Sequence, residues 1–125
     1  MRKSVPALFM AAAFTAGTPV FAGEADVIDV RVELESSGAF TFHVTVRHED
    51  AGWDHYADRW DVVGDAGAVL GERILLHPHE NEQPFTRSKS GVVVPPQVRE
   101  VVVRAHDKVH GLGGKTIRVS LPGRN

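Results

Sequence analysis

The chain of 125 residues contains no cysteine. That absence excludes disulfide staples, thiolate metal ligands and a cysteine nucleophile. It also excludes lipid attachment through an N-terminal cysteine. Stability must come from packing, or in part from a bound ion. Methionine is scarce as well, with two residues, so no soft-sulfur site for copper(I) can be assembled. No basic excess exists to attract nucleic acid or an anionic membrane surface, since the formal net charge is −2. Internal repeats, low-complexity tracts and long linkers are missing, and no segment carries a convincing helical stripe. Ser88 and Ser90 fall on a predicted strand outside any nucleophile motif. Gly111, Gly113 and Gly114 lie between two strands, so they read as a hairpin turn and not as a phosphate-binding loop. The acidic residues are scattered among basic ones, which gives no basis for paired-carboxylate sugar chemistry.

What is present begins with MRKSVPALFMAAAFTAGTPVFAGEA. Arg2 and Lys3 precede an apolar segment from Val5 to Ala16, too short to span a bilayer, and Val20-Phe21-Ala22 resembles a small-residue cleavage site. Residues 1–22 therefore read as a secretory signal peptide, residues 23–125 as one domain, and the location as periplasmic or secreted. No membrane span is expected in the mature chain. Taking Arg2 and Lys3 from the 14 basic residues leaves 12 against 16 acidic, a net charge of −4. About a hundred residues suit one domain with a modest core.

Period-two alternation dominates the rest. VIDVRVEL (27–34) sets Val30, Val32 and Leu34 opposite Asp29, Arg31 and Glu33. AFTFHVTVRH (39–48) sets Phe40, Phe42, Val44 and Val46 opposite Thr41, His43, Thr45 and Arg47, and Ser36-Ser37-Gly38 joins the two as a hairpin. Further strands are predicted at 59–63 with Trp60 and Val62 inward, at 69–76, at 85–94 and at 99–106 with Val101, Val103 and Ala105 inward. A seventh is predicted at 115–121. Pro95-Pro96 ends the fifth, because proline cannot donate to a ladder. Seven short strands predict an all-β, immunoglobulin-like antiparallel sandwich, with a small Greek-key barrel as the rival.

Strand direction then sorts the seven histidines. Connections alternate between the two ends of an antiparallel fold. The connections after strands two, four and six share one end and hold His48, His55, His77, His79, His106 and His110. His43 lies mid-strand on a polar face. Neutral imidazole is a ligand for zinc, copper, iron and nickel. His77 and His79 point the same way in extended backbone, and Pro78 between them limits the entropy lost on ordering. His106 and His110 could converge around a turn. Asp50, Asp54 and Asp107 could ligate or orient an imidazole. The candidate metal set is thus His48, His55, His77, His79, His106, His110 and Asp107, and the expected cofactor a divalent transition metal: iron, copper or zinc. Each histidine also has a bland reading. His106 beside Asp107 could be a loop-holding pair, and His-Pro could only end a strand. Trp53 and Tyr56 could cover the open end of the core.

Two stretches carry a family resemblance. RHEDAGWDHYADRWDVV resembles the segment of superoxide reductases (the iron domain of desulfoferrodoxin and neelaredoxin) in which two histidines bracket a short acidic loop. HDKVHGLGGK resembles the later segment, where a cysteine precedes His-Gly-Leu by three residues. The resemblance covers roughly residues 42–118. It implies an immunoglobulin-like sandwich and an iron site of four histidines and one cysteine, with His48, His55 and His110 as the matching ligands. Asp107 stands where the thiolate would be, the loop between His48 and His55 is one residue longer, and strand one offers no histidine. The resemblance therefore leaves a histidine-rich cation site without the thiolate that superoxide reduction uses.

Three function classes follow: a periplasmic metal binder, a metal-free adaptor using Trp53, Tyr56, Phe85 and the loop histidines on another periplasmic protein, and a metalloenzyme with redox or hydrolytic chemistry at an open coordination position. The first is favoured, and the enzyme comes third because the thiolate is missing.

Overall fold

The computed structural model describes residues 23–124. The expected signal peptide lies outside the described residues. Seven strands follow in chain order: β1 (Asp26–Leu34), β2 (Phe40–Arg47), β3 (Ala57–Val63), β4 (Val69–Ile74), β5 (Phe85–Val92), β6 (Glu100–Asp107) and β7 (Ile117–Ser120). A short turn of 3-10 helix at Asp65–Gly67 links β3 to β4. No helix among the described residues is long and apolar enough to cross a membrane.

The strands form two sheets, β1-β2-β5 and β4-β3-β6-β7, with every pairing antiparallel. The inward stripes of both sheets meet in one core. Phe40, Phe42, Val44 and Val46 of β2 face Trp60 and Val62 of β3 and Val101, Val103 and Ala105 of β6, all buried. Alternation puts them there, because successive side chains of a strand point to opposite faces.

β1 departs from its simple pattern. A register shift between Val27 and Asp29 puts Val27 and Val30 on the same side although they are three residues apart. Val27 is buried, Val30 and Val32 are half-buried, and Leu34 is exposed. An extra residue in one strand is what a bulge supplies, and the alternation of 29–34 does not reveal it. A second irregularity interrupts the β2–β5 ladder. The register skips between Phe40 and Phe42 opposite Lys89 and Val92, and Gly91 takes φ 68° there, a conformation that glycine tolerates without steric cost.

The connections after β2, β4 and β6 meet at one end of the sheets. Hydrogen bonds tie them together: the His79 amide donates to Asp50 Oδ2 at 2.6 Å, the His48 amide to Gln83 Oε1 at 3.0 Å, and the Lys108 amide to the Tyr56 carbonyl at 3.2 Å. The β6–β7 connection is further pinned to the start of β1, where the Lys115 amide donates to Asp26 Oδ1 at 2.7 Å and the Val27 amide to the Lys115 carbonyl at 2.9 Å.

Candidate metal centre

The site grows out of the core stripes. His48 continues the inward series Val44, Val46, and Asp107 continues Val101, Val103, Ala105. Both are buried, His48 at 3% and Asp107 at 0% exposure. The two residues come from different sheets and meet where the core opens toward the loops. Polar groups so deeply placed need partners, and these have them.

His48 Nδ1 lies 2.6 Å from Asp50 Oδ1. Asp50 also accepts from the Ala57 amide at 3.0 Å and from the His79 amide, so its carboxylate is a fixed hub with no exposed side-chain surface. The Nδ1 contact turns His48 Nε2 toward Asp107 Oδ2, 3.0 Å away. His55 reaches the same oxygen with Nε2 at 2.8 Å, and His48 Nε2 lies 3.2 Å from His55 Nε2. His55 is presented by a tight loop in which the Ala51 amide donates to the His55 carbonyl at 2.7 Å. His110 adds a third nitrogen, with Nδ1 2.9 Å from Asp107 Oδ2. Its own amide donates to Asp107 Oδ1 at 2.8 Å.

Three imidazole nitrogens therefore crowd one carboxylate oxygen. A neutral His48 has a single N–H for two carboxylates. With it on Nδ1, toward the nearer one, Asp50, Nε2 aims a lone pair at the oxygen of Asp107 and at the ring nitrogen of His55. Either a second proton on His48 or a cation among the three atoms relieves that opposition. Donor atoms bound at about 2.0–2.2 Å to one ion sit about 2.8–3.1 Å apart at neighbouring octahedral positions and about 3.3–3.6 Å apart in a tetrahedron, so separations of 2.8, 3.0 and 3.2 Å match octahedral spacing and need a small widening for a tetrahedral ion. His48, His55 and Asp107 could hold it, and His110 borders them through Asp107.

The electrostatics agree. Burial pushes the His48 pKa down, but hydrogen bonds to, and charges on, Asp50 and Asp107 outweigh it and leave the pKa raised. Burial pushes Asp50 up, and hydrogen bonds from His48 and from the His79 and Ala57 amides more than reverse it. Burial likewise acts upward on Asp107, and His110, His55 and His48 bring it below the ordinary value. The site stabilises negative oxygens and invites positive charge between them.

The other candidate residues lie elsewhere. His77 and His79 share this end of the molecule, their rings 4.5 Å apart, but they sit apart from the His48–His55–Asp107 group. His79 stacks on Phe85 at 4.0 Å, and its Nε2 accepts from Arg87 Nη2 at 2.9 Å. A guanidinium on the lone pair removes the donor atom and repels a cation. His106 faces away from the group. It neighbours Asp107 on a strand, so the two side chains point to opposite faces, and His106 Nδ1 pairs with Asp58 Oδ1 at 2.6 Å. Asp54 is exposed and outside the group. Phe85, expected at a contact surface, is 2% exposed and belongs to the core. Tyr56 is buried, whereas Trp53 is 63% exposed and meets the Tyr56 ring edge-on.

Gln83 is the organising residue that the sequence did not suggest. Its Oε1 accepts from the His48 amide, and its Nε2 donates to the His79 carbonyl at 2.9 Å. Nothing in its local sequence distinguishes it from a solvated loop residue. On the outer face of β1-β2-β5, His43 lies 2.6 Å from Ser88 Oγ and 3.1 Å from Glu33 Oε1. The order of groups is that of a hydrolase triad, but Ser88 stands mid-strand on an exposed sheet face, in no nucleophile motif.

No family model matches the chain, and no solved structure matches it. A protein of Halomicrobium mukohataei described as "Putative lipoprotein" is 47% identical over 96 residues, which is 77% of this chain and 47% of that protein. The chain thus spans about half the length of that relative.

Proposed function

We propose that this is an exported protein that holds a divalent transition metal at His48, His55 and Asp107, with His110 as a further donor. The observation that carries the reading is the position of His48 Nε2, 3.0 Å from Asp107 Oδ2 and 3.2 Å from His55 Nε2, while Asp50 engages the other ring nitrogen. An all-nitrogen and oxygen donor set suits zinc, copper(II) or iron(II). These four residues are also those that the resemblance to superoxide reductases aligns, with Asp107 at the thiolate position. The strand grouping β1-β2-β5 and β4-β3-β6-β7 supports an immunoglobulin-like sandwich as the scaffold. Export is supported by the N-terminal sequence and by a relative described as a lipoprotein, although this sequence contains no cysteine to carry a lipid.

His55 and His110 retain 19% and 34% of their side-chain exposure, whereas His48 and Asp107 retain none. One side of the centre is closed and anchored, and the other is reachable from solvent. That asymmetry favours an exchangeable site for uptake, delivery or sensing. A bound ion would supply Lewis acidity at the open side. Reduction of superoxide is the weaker reading, because a carboxylate does not donate charge as a thiolate does.

Metal analysis of untagged protein after dialysis against zinc, copper(II) or iron(II) tests the reading. One equivalent is expected, falling below 0.1 (about a tenfold loss) in His55→Ala, while His43→Ala retains it. Equal loss in both variants, or no retained ion in the parent protein, defeats the assignment. Gln83→Ala is expected to weaken the ion about tenfold in competition with a chromogenic chelator, with the far-ultraviolet circular dichroism unchanged. Gln83 touches no ion in this reading; it holds the His48 backbone in place.

A further inference from the structure

Beside the β4–β5 connection lies a cavity of about 80 Å³ lined by Arg73, Leu75, Leu76, His77, His79 and Arg87. This lining holds two guanidinium groups and two imidazoles but no carboxylate. Arg73 comes from β4 and Arg87 from β5, the edge strands of the two sheets, so the pair straddles the seam between them. Arg73 Nε is buried without a hydrogen-bond partner among the described residues; His79 Nδ1 also makes no hydrogen bond, but it lies 3.9 Å from Asp50 Oδ2. Arg73 Nη1 has only the Ile74 carbonyl, at 3.2 Å. Arg87 donates from Nη1 to the Thr86 carbonyl at 2.8 Å, and its Nη2 donates to His79 and meets the exposed carboxylate of Glu82 at 3.4 Å. A buried charged donor without an acceptor is costly, and the guanidinium fork matches the spacing of oxygens on a planar or tetrahedral anion.

We propose that this cavity binds a small oxyanion of the phosphate or carboxylate class, held between Arg73 and Arg87 with His77 and His79 on its rim. Room for several waters is room for one such anion and not for a larger ligand. Leu75, which is 2% exposed, gives the cavity an apolar wall, where a charge interaction is stronger than in open water. Two arginines make the same cavity hostile to a cation, which separates it in chemistry from the carboxylate-centred group around Asp107. The proposal does not depend on the metal reading.

The test is a nuclear magnetic resonance titration of isotope-labelled full chain, stripped of metal with chelator. Sodium phosphate is used in one arm and sodium acetate in the other, at constant ionic strength. Saturable shifts confined to residues 73–79 and 87 are expected, and the arm that saturates at lower concentration assigns the class. Arg73→Gln is expected to weaken binding at least fivefold. Arg73→Lys should fall between, since it keeps the charge and loses the fork. Arg118→Gln, an exposed arginine on β7, should match the parent. If Arg73→Gln does not fold, Arg87→Gln repeats the comparison. Shifts that never saturate in either arm, or that weaken equally in the Arg73 and Arg118 variants, overturn the proposal.

Discussion

Asp107→Ala is expected to abolish ion retention and to destabilise the metal-free protein by roughly 2–4 kcal/mol. No other single side chain in the centre has so many partners. Its carboxylate receives His48, His55 and His110 nitrogens and the His110 amide, and it is fully buried. Truncation leaves a polar hole at the mouth of the core and three imidazoles without a common acceptor. For a domain of about a hundred residues, that loss lowers the melting temperature by roughly 10–25 °C. Asp107→Asn separates charge from shape. Its carbonyl oxygen can still accept the His110 amide, so the melting temperature should recover in part, while ion affinity stays at least 100-fold below the parent, beyond the range seen for outer-shell changes. Calorimetry and metal analysis on the two variants check both halves. An Asp107→Asn protein that keeps its ion would remove Asp107 from the ligand set.

Proton and metal should drive stability in opposite directions with pH. In the metal-free protein the His48 pKa is raised, so the folded state binds the proton more tightly than the unfolded chain. Its contribution is complete below the unfolded value of about 6.5 and disappears as pH rises through the folded value. Asp50 and Asp107 are lowered. Their contribution is complete above about 3.9 and is lost as pH falls through their folded values. Metal-free protein is thus expected to be most stable between these limits and to soften as pH rises past the unfolded histidine value. With ion present at 100 times its dissociation constant, binding adds about 2.7 kcal/mol, but only where His48 Nε2 is free of its proton. The stabilisation by zinc should therefore grow from pH 5.5 to 8, reaching roughly 10–20 °C in melting temperature. Thermal denaturation with and without zinc across that range gives the comparison. A metal-induced shift that is flat with pH would exclude imidazole ligation.

Much of this arrangement was legible before any coordinates. The alternation in AFTFHVTVRH and REVVVRAH places Phe40 to Val46 and Val101 to Ala105 in the core. Counting strand directions brings the three histidine-bearing connections to one end, and hydrogen bonds between those connections are present. Extending the same parity by one step points His48 and Asp107 inward and His106 outward. The bulge in β1 was not legible, because Val27 and Val30 obey alternation only once an extra residue is inserted. His77-Pro78-His79 looked like a preorganised pair of ligands. Arg87, eight residues away and on another strand, takes the His79 nitrogen instead.

The sequence by itself determined the strand pattern, the absence of sulfur ligands and the end of the fold where histidines collect. These follow from local periodicity, composition and direction, none of which needs a distant neighbour. Only the tertiary structure decided which imidazoles converge. That choice depends on where side chains of the β2–β3 and β6–β7 connections and of the ends of β5 and β6 come within about 3 Å, and on whether a carboxylate or a guanidinium occupies the space between them. Asp107 gathers His48, His55 and His110 around negative charge, whereas Arg87 surrounds His79 with positive charge. Coulomb interactions at that range outweigh any preference written in a two-residue spacing.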